Sequence, residues 1–427
     1  MITSSKEIVH SLLRASERWT KTDMVYLFSN GFWLGLNFFV SSLLGLFVSI
    51  LFARLLSPNV YGTYQYILSL SVIIGAVTLT GFNAAVTKSV AQGYEYSYIK
   101  SIPTQLIWSL LGVLAALGIG SYYWLHGAET IGLAVFVVGG LLPISNTYNT
   151  YTAFLNGKKL FKALAITSIL QALLQSVVIA ICLFLGGSLM QLVVTYFCSI
   201  ATTNILFHFI TLRLYPVNDK IDEGMVTYGK HLSLMNVLNQ IAVRADDIIV
   251  FTLLGAPELA VYYFAKIIPE KMKSFFRIVS TLALPKLASN IFRDEHSGLY
   301  IKTGVFLAAI AGSIVLYVAA APLIFKLLFA NYASSIIYSQ IIVLSVLISA
   351  AGLPVNSLIA RGKYKELYAF NTALPMLQIV ITFLSISTAG LWGAVLSKIV
   401  NNLLYLVTAL FFYKISLRKE ITDVRIL

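Results

Sequence analysis

Residues 261–284, VYYFAKIIPEKMKSFFRIVSTLAL, form an apolar run long enough to cross a bilayer, yet this run contains five charged side chains. At 100° per residue, Lys266, Glu270, Lys273 and Arg277 lie on one narrow face of a helix, and the remaining lysine points elsewhere. Five unshielded charges at mid-membrane cost on the order of 10–15 kcal/mol. The charged face must therefore be turned toward water, another polar helix or an anionic ligand.

The composition of the whole chain is that of a membrane protein. Of 427 residues, 58% are hydrophobic and 11% are charged, whereas soluble domains have about 25% charged residues. The net charge of +13 lies mainly in short loops between apolar runs, which is a membrane pattern and gives no reason to expect a nucleic-acid partner. Cys182 and Cys198 lie inside apolar runs and are interpreted as core residues, with no disulfide or metal site.

Apolar runs separated by short polar loops make up most of the chain. A helix needs ~20 apolar residues to span a bilayer. We predict an all-α integral membrane protein with about twelve transmembrane helices, in two parallel six-helix bundles around a central cavity. The predicted spans are 27–53, 63–87, 103–125, 130–153, 163–185, 189–212, 230–255, 259–284, 303–329, 335–359, 366–388 and 391–413.

Basic residues are distributed unequally between the two sets of loops. Most of the 30 lysines and arginines fall in the termini and in alternate loops, whereas the opposite loops hold Arg54 and Lys326. Because cytoplasmic loops are enriched in Lys and Arg, this bias predicts that both termini are cytoplasmic. We expect a multi-pass protein of the inner (cytoplasmic) membrane.

Two pairs of similar segments indicate an internal duplication. Residues 55–58 lead into the second span as 253–257 lead into the eighth, and 153–158 resemble 358–363. Both pairs are in register with the order of the spans. Six spans per copy is an even number, so the copies are parallel and related by an axis along the membrane normal, a typical transporter architecture.

The duplication sets the expected domain boundaries. Residues 1–26 are predicted as a cytoplasmic interfacial segment and 27–214 as the N-terminal six-helix bundle. A cytoplasmic linker at 215–228 leads to the C-terminal six-helix bundle at 229–413. Residues 414–427 are then a cytoplasmic tail.

Short motifs along the chain carry a family resemblance. FARLLSPNVYGTY at 52–64 resembles the loop after the first span of Wzx-like polysaccharide (O-antigen/capsule repeat-unit) flippases of the multidrug/oligosaccharidyl-lipid/polysaccharide exporter superfamily. RADD at 244–247 and YY at 262–263 resemble that family's pattern around spans seven and eight. FANY at 329–332 and RGK at 361–363 resemble its motifs flanking span ten.

The resemblance covers essentially the whole chain and implies a transporter. Such a flippase moves an undecaprenyl-pyrophosphate-linked oligosaccharide from the inner to the outer leaflet by alternating access. It has no catalytic residues or cofactor, its superfamily is generally coupled to H⁺ or Na⁺, and a glycan polymerase or other assembly machinery is the expected protein partner.

Cations within the spans suit an anionic passenger of this kind. Lys266, Lys273 and Arg277 form a ladder on one helix face, and Arg244 and Lys398 lie in the seventh and twelfth spans. Fixed cations offset the loss of water from a pyrophosphate, and arginine adds bidentate geometry. We predict these five residues as substrate-binding.

Acidic residues within the spans are candidates for ion coupling, namely Asp246, Asp247 and Glu270. Their spacing also allows pairing with neighbouring cations: Lys266–Glu270, Glu270–Lys273 and Arg244–Asp247 are three or four residues apart. Six cations stand against these three acids, so pairing leaves a surplus of positive charge.

Amide side chains within the spans could hydrogen-bond a glycan or could bridge neighbouring helices, which is the commoner role for any single one. They are Asn37, Asn83, Asn146, Asn149, Asn204, Asn236, Asn239, Gln240, Asn356, Asn371, Asn401 and Asn402.

Other function classes fit the sequence less well. The loops opposite the termini are short, and no metal-ligand spacing, nucleophile elbow or phosphate loop is present, which disfavours an enzyme. The alternative is a small-molecule or multidrug extruder of the same superfamily. A pocket for cationic drugs should be acidic and aromatic, whereas these spans are net basic. A non-transporting scaffold would not need a polar ladder through the bilayer.

Overall fold

The computed structural model describes residues 24–291, 296–351 and 364–426, and within these ranges the chain is helical with short connections. Most of the predicted interfacial segment 1–26 lies outside the described residues. The helices of the N-terminal half are α1 (Met24–Leu55), α2 (Pro58–Ala76), α3 (Phe82–Ala91), α4 (Tyr96–Leu125), α5 (Glu129–Tyr148), α6 (Tyr151–Gly157), α7 (Phe161–Phe184) and α8 (Leu189–Leu214).

The C-terminal half begins after the predicted linker. Its described elements are α9 (Met225–Leu254), α10 (Ala256–Ile291), α11 (His296–Leu328), 3₁₀ turns at Ala330–Tyr332 and Val343–Ala351, α12 (Ser335–Ile342) and α13 (Tyr364–Ile426). The all-α membrane fold is confirmed, and the division into linker, bundles and tail stays a prediction.

Two predicted spans are interrupted. The second, 63–87, is broken between α2 and α3, and the fourth, 130–153, is broken between α5 and α6. Both breaks contain threonine. Thr78 Oγ1 donates to the Gly75 carbonyl oxygen at 2.6 Å, and Thr150 Oγ1 donates to Gln105 Oε1 of α4 at 3.2 Å. Length and hydropathy do not reveal such breaks, because the flanking residues stay apolar.

The eleventh and twelfth predicted spans are the two arms of α13. The chain reverses at Gly390, where φ is 57° and ψ is −135°. A Cβ at nearby Gly393 would lie 1.7 Å from the Ser385 carbonyl oxygen, so the arms meet backbone to backbone. Both glycines are therefore required by the turn.

Seven described segments are long and apolar enough to cross a membrane by length and composition: Gly31–Leu55, Tyr96–Leu125, Glu129–Gly157, Phe161–Phe184, Leu189–Leu214, Val305–Leu328 and Thr372–Thr408. Helices α2, α9 and α10 fall outside this set because they are more polar. These three pack on one another across the two halves, α2 against both α9 and α10. The polar helices thus lie inside, where neighbouring helices shield them from lipid.

Contacts within each half complete the bundles. Helix α4 packs on α5, α5 on α8 and α1 on α7, whereas α9 packs on α13. An aromatic cluster joins the halves: the Tyr61 ring stacks on Phe264 at 4.7 Å and the Tyr66 ring on Phe251 at 3.8 Å. This core fixes α9 and α10, the helices that carry most of the predicted site.

Candidate functional site

Three helices bring the predicted charged residues together. Helix α9 carries Arg244, Asp246 and Asp247, α10 carries the charged face from Lys266 to Arg277, and α13 contributes Lys398. Because α9 packs against both α10 and α13, charges far apart in sequence become neighbours.

Asp247 is fully buried and accepts hydrogen bonds from three side chains. Its Oδ2 accepts hydrogen bonds from Ser69 Oγ at 2.9 Å and from Arg244 Nη1 at 3.3 Å. Its Oδ1 accepts a charge-assisted hydrogen bond from Lys266 Nζ. Since Ser69 lies on α2, this carboxylate ties the two halves together.

Asp246 forms the second centre of the same network. Its Oδ2 accepts from Tyr262 Oη at 2.8 Å and from Lys398 Nζ at 3.0 Å, with Lys266 Nζ at 3.8 Å. The Lys266 ammonium also lies 4.8 Å from the Tyr262 ring centroid. We call Arg244, Asp246, Asp247, Lys266 and Lys398 the ion cluster.

Glu270 and Lys273 continue from the ion cluster toward open space. Glu270 Oε1 lies 3.4 Å from Lys398 Nζ, and its side chain is 45% exposed. Lys273 Nζ donates to Asn402 Oδ1 at 2.8 Å, and Asn402 Nδ2 donates to the Lys398 carbonyl oxygen at 2.8 Å. Lys273 is therefore hydrogen-bonded to a neutral amide, and Glu270 on the same helix is its electrostatic neighbour.

These groups open into a cavity of about 380 Å³, which we call the basic cavity. All of its lining residues belong to the C-terminal half. The charged ones are Asp246, Glu270, Lys273, Arg277 and Lys398, and neutral amide and hydroxyl side chains form the rest of the polar lining. The cavity falls in the size range of pockets that hold small ligands, about 300–1,000 Å³.

The structure shows which cations pair with which acids, which residue spacing alone did not decide. Arg244 does pair with Asp247, as its i,i+3 spacing allowed. Lys266 bonds to the aspartates of α9, and Glu270 contacts Lys398 on α13. Tertiary contacts therefore replace the Lys266–Glu270 pairing within α10.

The positive and negative side chains of these helices are unequal in number. Arg244, Lys266 and Lys398 contact the three acids, and the six cations of these spans outnumber the acids by three. Lys273 and Arg277 line the basic cavity. Lys271 does not, since its Nζ lies beside Gly45 of α1, where a Cβ would be 3.7 Å away.

The sequence alone does not indicate that Ser69 and Tyr262 belong to this network. Ser69 lies in an uncharged span and gives no pattern that points to Asp247. Tyr262 belongs to the YY motif, which marked the segment but not the hydrogen bond that its hydroxyl donates.

The predicted amide residues divide between both roles. Asn204 bridges helices by donating to the Ser145 carbonyl oxygen at 2.8 Å. Asn239, Asn401 and Asn402 line the basic cavity. Asn356 lies outside the described residues.

The arrangement can hold an anion by charge and a neutral polar group by hydrogen bonding. Lys273 and Arg277 supply donors, and Asn401 presents a buried Oδ1 that has no hydrogen-bond partner within the described structure. Among the described residues, no three His, Cys, Asp or Glu side chains come together to hold a metal ion.

Comparison with known proteins places the fold. Residues 27–291 match the family model described as "Polysaccharide biosynthesis protein". No curated protein matches the sequence.

Solved structures with the same fold are transporters and a flippase. An inward-facing multidrug resistance MATE family transporter of the MOP superfamily has a TM-score of 0.64 at 13% identity, covering 89% of this chain and 95% of that one. The lipid II flippase MurJ, in an inward closed conformation, has a TM-score of 0.64 at 14% identity, with coverages of 89% and 87%.

A MOP superfamily transporter from Pyrococcus furiosus, described as having a binding pocket of reverse polarity, has a TM-score of 0.62 at 13% identity, with coverages of 92% and 95%. These identities show a shared fold. The family match spans more than half of the sequence and agrees with the motif resemblance. The chain therefore belongs to the polysaccharide biosynthesis protein family and is a multi-pass membrane protein with the fold of MOP superfamily transporters.

Proposed function

We propose that this protein flips an undecaprenyl-pyrophosphate-linked oligosaccharide from the inner to the outer leaflet by alternating access. The observation that carries the proposal is the basic cavity, which Lys273 and Arg277 line beside neutral amides. The family match to polysaccharide biosynthesis and the shared fold with the lipid II flippase support a lipid-linked substrate.

The chemistry of the cavity suits a pyrophosphate. Lys273 acts as a point charge, and the Arg277 guanidinium offers a planar pair of donors that matches phosphate oxygens. Both act in surroundings shielded from bulk water, where an ion pair is stronger than in solution. The ion cluster keeps Lys266, Arg244 and Lys398 in place as support, so we assign the first contact with substrate to Lys273 and Arg277, which line the cavity.

Among Asp246, Asp247 and Glu270, the residue best placed for ion coupling is Glu270. Asp246 and Asp247 are held by several donors each, whereas the Glu270 side chain is 45% exposed and lines the basic cavity. A carboxylate reached by water can exchange H⁺ or bind Na⁺ without dismantling the buried network.

The proposed setting is the inner membrane with both termini in the cytoplasm, as the loop charges predict. In this setting the outer-leaflet product would be delivered to a glycan polymerase or other assembly machinery. A multidrug extruder is the rival function. The surplus positive charge of the basic cavity would repel the cationic drugs that such an extruder binds.

The test is glycan export in a strain that lacks the chromosomal copy. We expect Lys273→Met and Arg277→Ala each to lower surface glycan by about tenfold or more, because each removes a charge-assisted donor. Lys271→Met is the matched control, since it removes a lysine from the same turn of α10 that faces α1. It should leave export unchanged at equal membrane abundance.

Normal export by both Lys273→Met and Arg277→Ala would overturn the binding role of the cavity. Lys266→Ala is a poorer first test, because it removes a partner of buried Asp247 and so lowers stability as well.

A further inference from the structure

A second cavity, of about 120 Å³, lies inside the N-terminal half. It is lined by the break between α2 and α3, by α4 and by the end of α5. We call it the neutral pocket, because none of its described lining residues carries a charge.

Both helix breaks of this half meet at the neutral pocket. Thr78 and Thr80 come from the α2–α3 break, and Asn149 from the α5–α6 break. At the α5–α6 break, Asn149 and Thr150 keep right-handed helical dihedrals, and the backbone hydrogen bonds tighten to a 3₁₀ pattern. Discontinuous helices form the substrate sites of many transporters, so two breaks at one pocket point to a binding site.

The pocket presents hydrogen-bonding groups that the protein does not use. The side-chain amides of Asn83, Asn146 and Asn149 are half-buried and have no hydrogen bond to any described residue, and all three line the pocket. The hydroxyl oxygens of Thr80 and Thr147 are buried and unpartnered, and Thr147 is 1% exposed. Buried hydroxyls normally have a hydrogen-bond partner, so these two, beside three available amides, indicate a ligand or water.

On the α4 side of the pocket, by contrast, the polar groups already have hydrogen-bond partners. Gln105 Nε2 donates to Thr150 Oγ1 at 3.0 Å and to Ser101 Oγ at 3.1 Å. This network fixes the wall while leaving the asparagine amides available. The unused groups are donors and acceptors without charge, which matches the hydroxyl and acetamido groups of a neutral sugar.

Helix α9 connects the neutral pocket to the basic cavity. Ser233 Oγ accepts from the Gly81 backbone N–H at 2.9 Å, directly beside the α2–α3 break. Asn239, on the same helix, lines the basic cavity. Ser233 and Asn239 are six positions apart, which is about 9 Å along the helix axis.

We propose that the neutral pocket binds an uncharged sugar residue through the amides of Asn83, Asn146 and Asn149. We assign this sugar to the same substrate molecule whose pyrophosphate occupies the basic cavity, and this assignment rests on the proposed function. The N-terminal half then recognises the glycan and the C-terminal half the anionic linkage.

Sugar binding can be measured without any pyrophosphate. Saturation-transfer NMR with free N-acetylglucosamine would use the full-length protein in lipid nanodiscs, because maltoside detergent would compete. We expect a signal that falls by about fivefold in Asn146→Leu/Asn149→Leu. Asn37→Leu is the matched control, since Asn37 accepts from Ser41 on its own helix and lines neither cavity.

A second variant guards against misfolding. Thr147→Val keeps the shape of the side chain and removes its unpartnered hydroxyl. It should weaken the sugar signal in a protein that elutes as wild type does. Glucuronic acid, which is charged, should give a weaker signal than N-acetylglucosamine.

The outcomes separate this proposal from the proposed function. A sugar signal that is absent, or equal in wild type and all variants, overturns the neutral pocket as a sugar site and leaves ordered water as its occupant. A signal lost in the pocket variants supports the site even if the wild-type protein exports no lipid-linked glycan, a result that would overturn the proposed function alone.

Discussion

Asp247 receives donors from three helices, and none of its side chain reaches solvent. Arg244 reaches it from the preceding turn of α9, Lys266 from α10 and Ser69 from α2. A buried carboxylate is tolerated when it is paired and hydrogen-bonded, and here every donor is itself fixed by packing. The carboxylate is therefore a structural centre of the interface between the halves.

Loss of this carboxylate should be costly. Asp247→Ala leaves Lys266 and Arg244 buried without their partner, and we expect it to lower the free energy of unfolding by about 3–5 kcal/mol. Ser69→Ala removes one hydrogen bond and should cost about 1 kcal/mol. Denaturant unfolding of the purified protein in detergent, followed by tryptophan fluorescence, measures both.

The double variant Asp247→Asn/Lys266→Met provides the control. It removes both charges of the pair and should recover part of the stability that Asp247→Ala loses. Equal stability of Asp247→Ala and wild type would contradict the structural role of the pair.

At the residue scale, the sequence predicted which charges lie inside but not how they pair. Arg244 and Asp247 lie on one helix, so their pairing follows from spacing alone. The bonds from Lys266 to the aspartates of α9 depend on how α9 and α10 pack, which spacing within one helix does not encode. Ser69 lacked any signal because a hydroxyl in an uncharged span is ordinary.

At the element scale, α13 depends on one backbone conformation. Gly390 joins the two arms at φ 57° and ψ −135°, a combination essentially restricted to glycine. The predicted spans 366–388 and 391–413 meet at this position. The tight turn sets the register of the arm that carries Lys398 and Asn402 into the site.

Gly390→Ala should therefore destabilise the C-terminal half. We expect a loss of about 1–3 kcal/mol, seen as a lower midpoint of thermal unfolding in detergent. Gly118→Ala, at a helical position where a Cβ meets nothing within 4 Å, is the control and should cause no loss. A Gly390→Ala protein as stable as wild type would show that the turn tolerates a side chain.

Helix continuity was the least predictable property of the elements. The spans 63–87 and 130–153 read as continuous, because apolar length predicts membrane crossing but not the path of the backbone. Their breaks contain no proline. The Thr78–Gly81 and Asn149–Thr150 segments are polar for mid-span positions, and that polarity is the one signal that could have marked them.

At the scale of the whole molecule, equivalent parts of the two predicted halves touch. The repeated segments 55–58 and 253–257 lead into α2 and α10, whose first turns are in contact. A Cβ at Gly62 would lie 1.8 Å from the Ala256 carbonyl oxygen, so the backbones meet directly. In the proposed orientation this contact closes the outer end, and the alternating access that we propose would open it.

The halves also differ in chemistry. The basic cavity lies in the C-terminal half, and the neutral pocket lies in the N-terminal half. The sequence shows the same asymmetry, since span two lacks the charges of span eight. It gives no sign of the pocket in the N-terminal half, because the pocket is formed by the helix breaks.

The central claim is that Lys273 and Arg277 bind a lipid-linked pyrophosphate. The most direct measurement is binding of undecaprenyl pyrophosphate, without a glycan, to the purified protein by native mass spectrometry. We predict that wild type and Lys271→Met bind it equally and that Lys273→Met/Arg277→Ala binds it about tenfold or more weakly. Equal binding by all three proteins would contradict the claim.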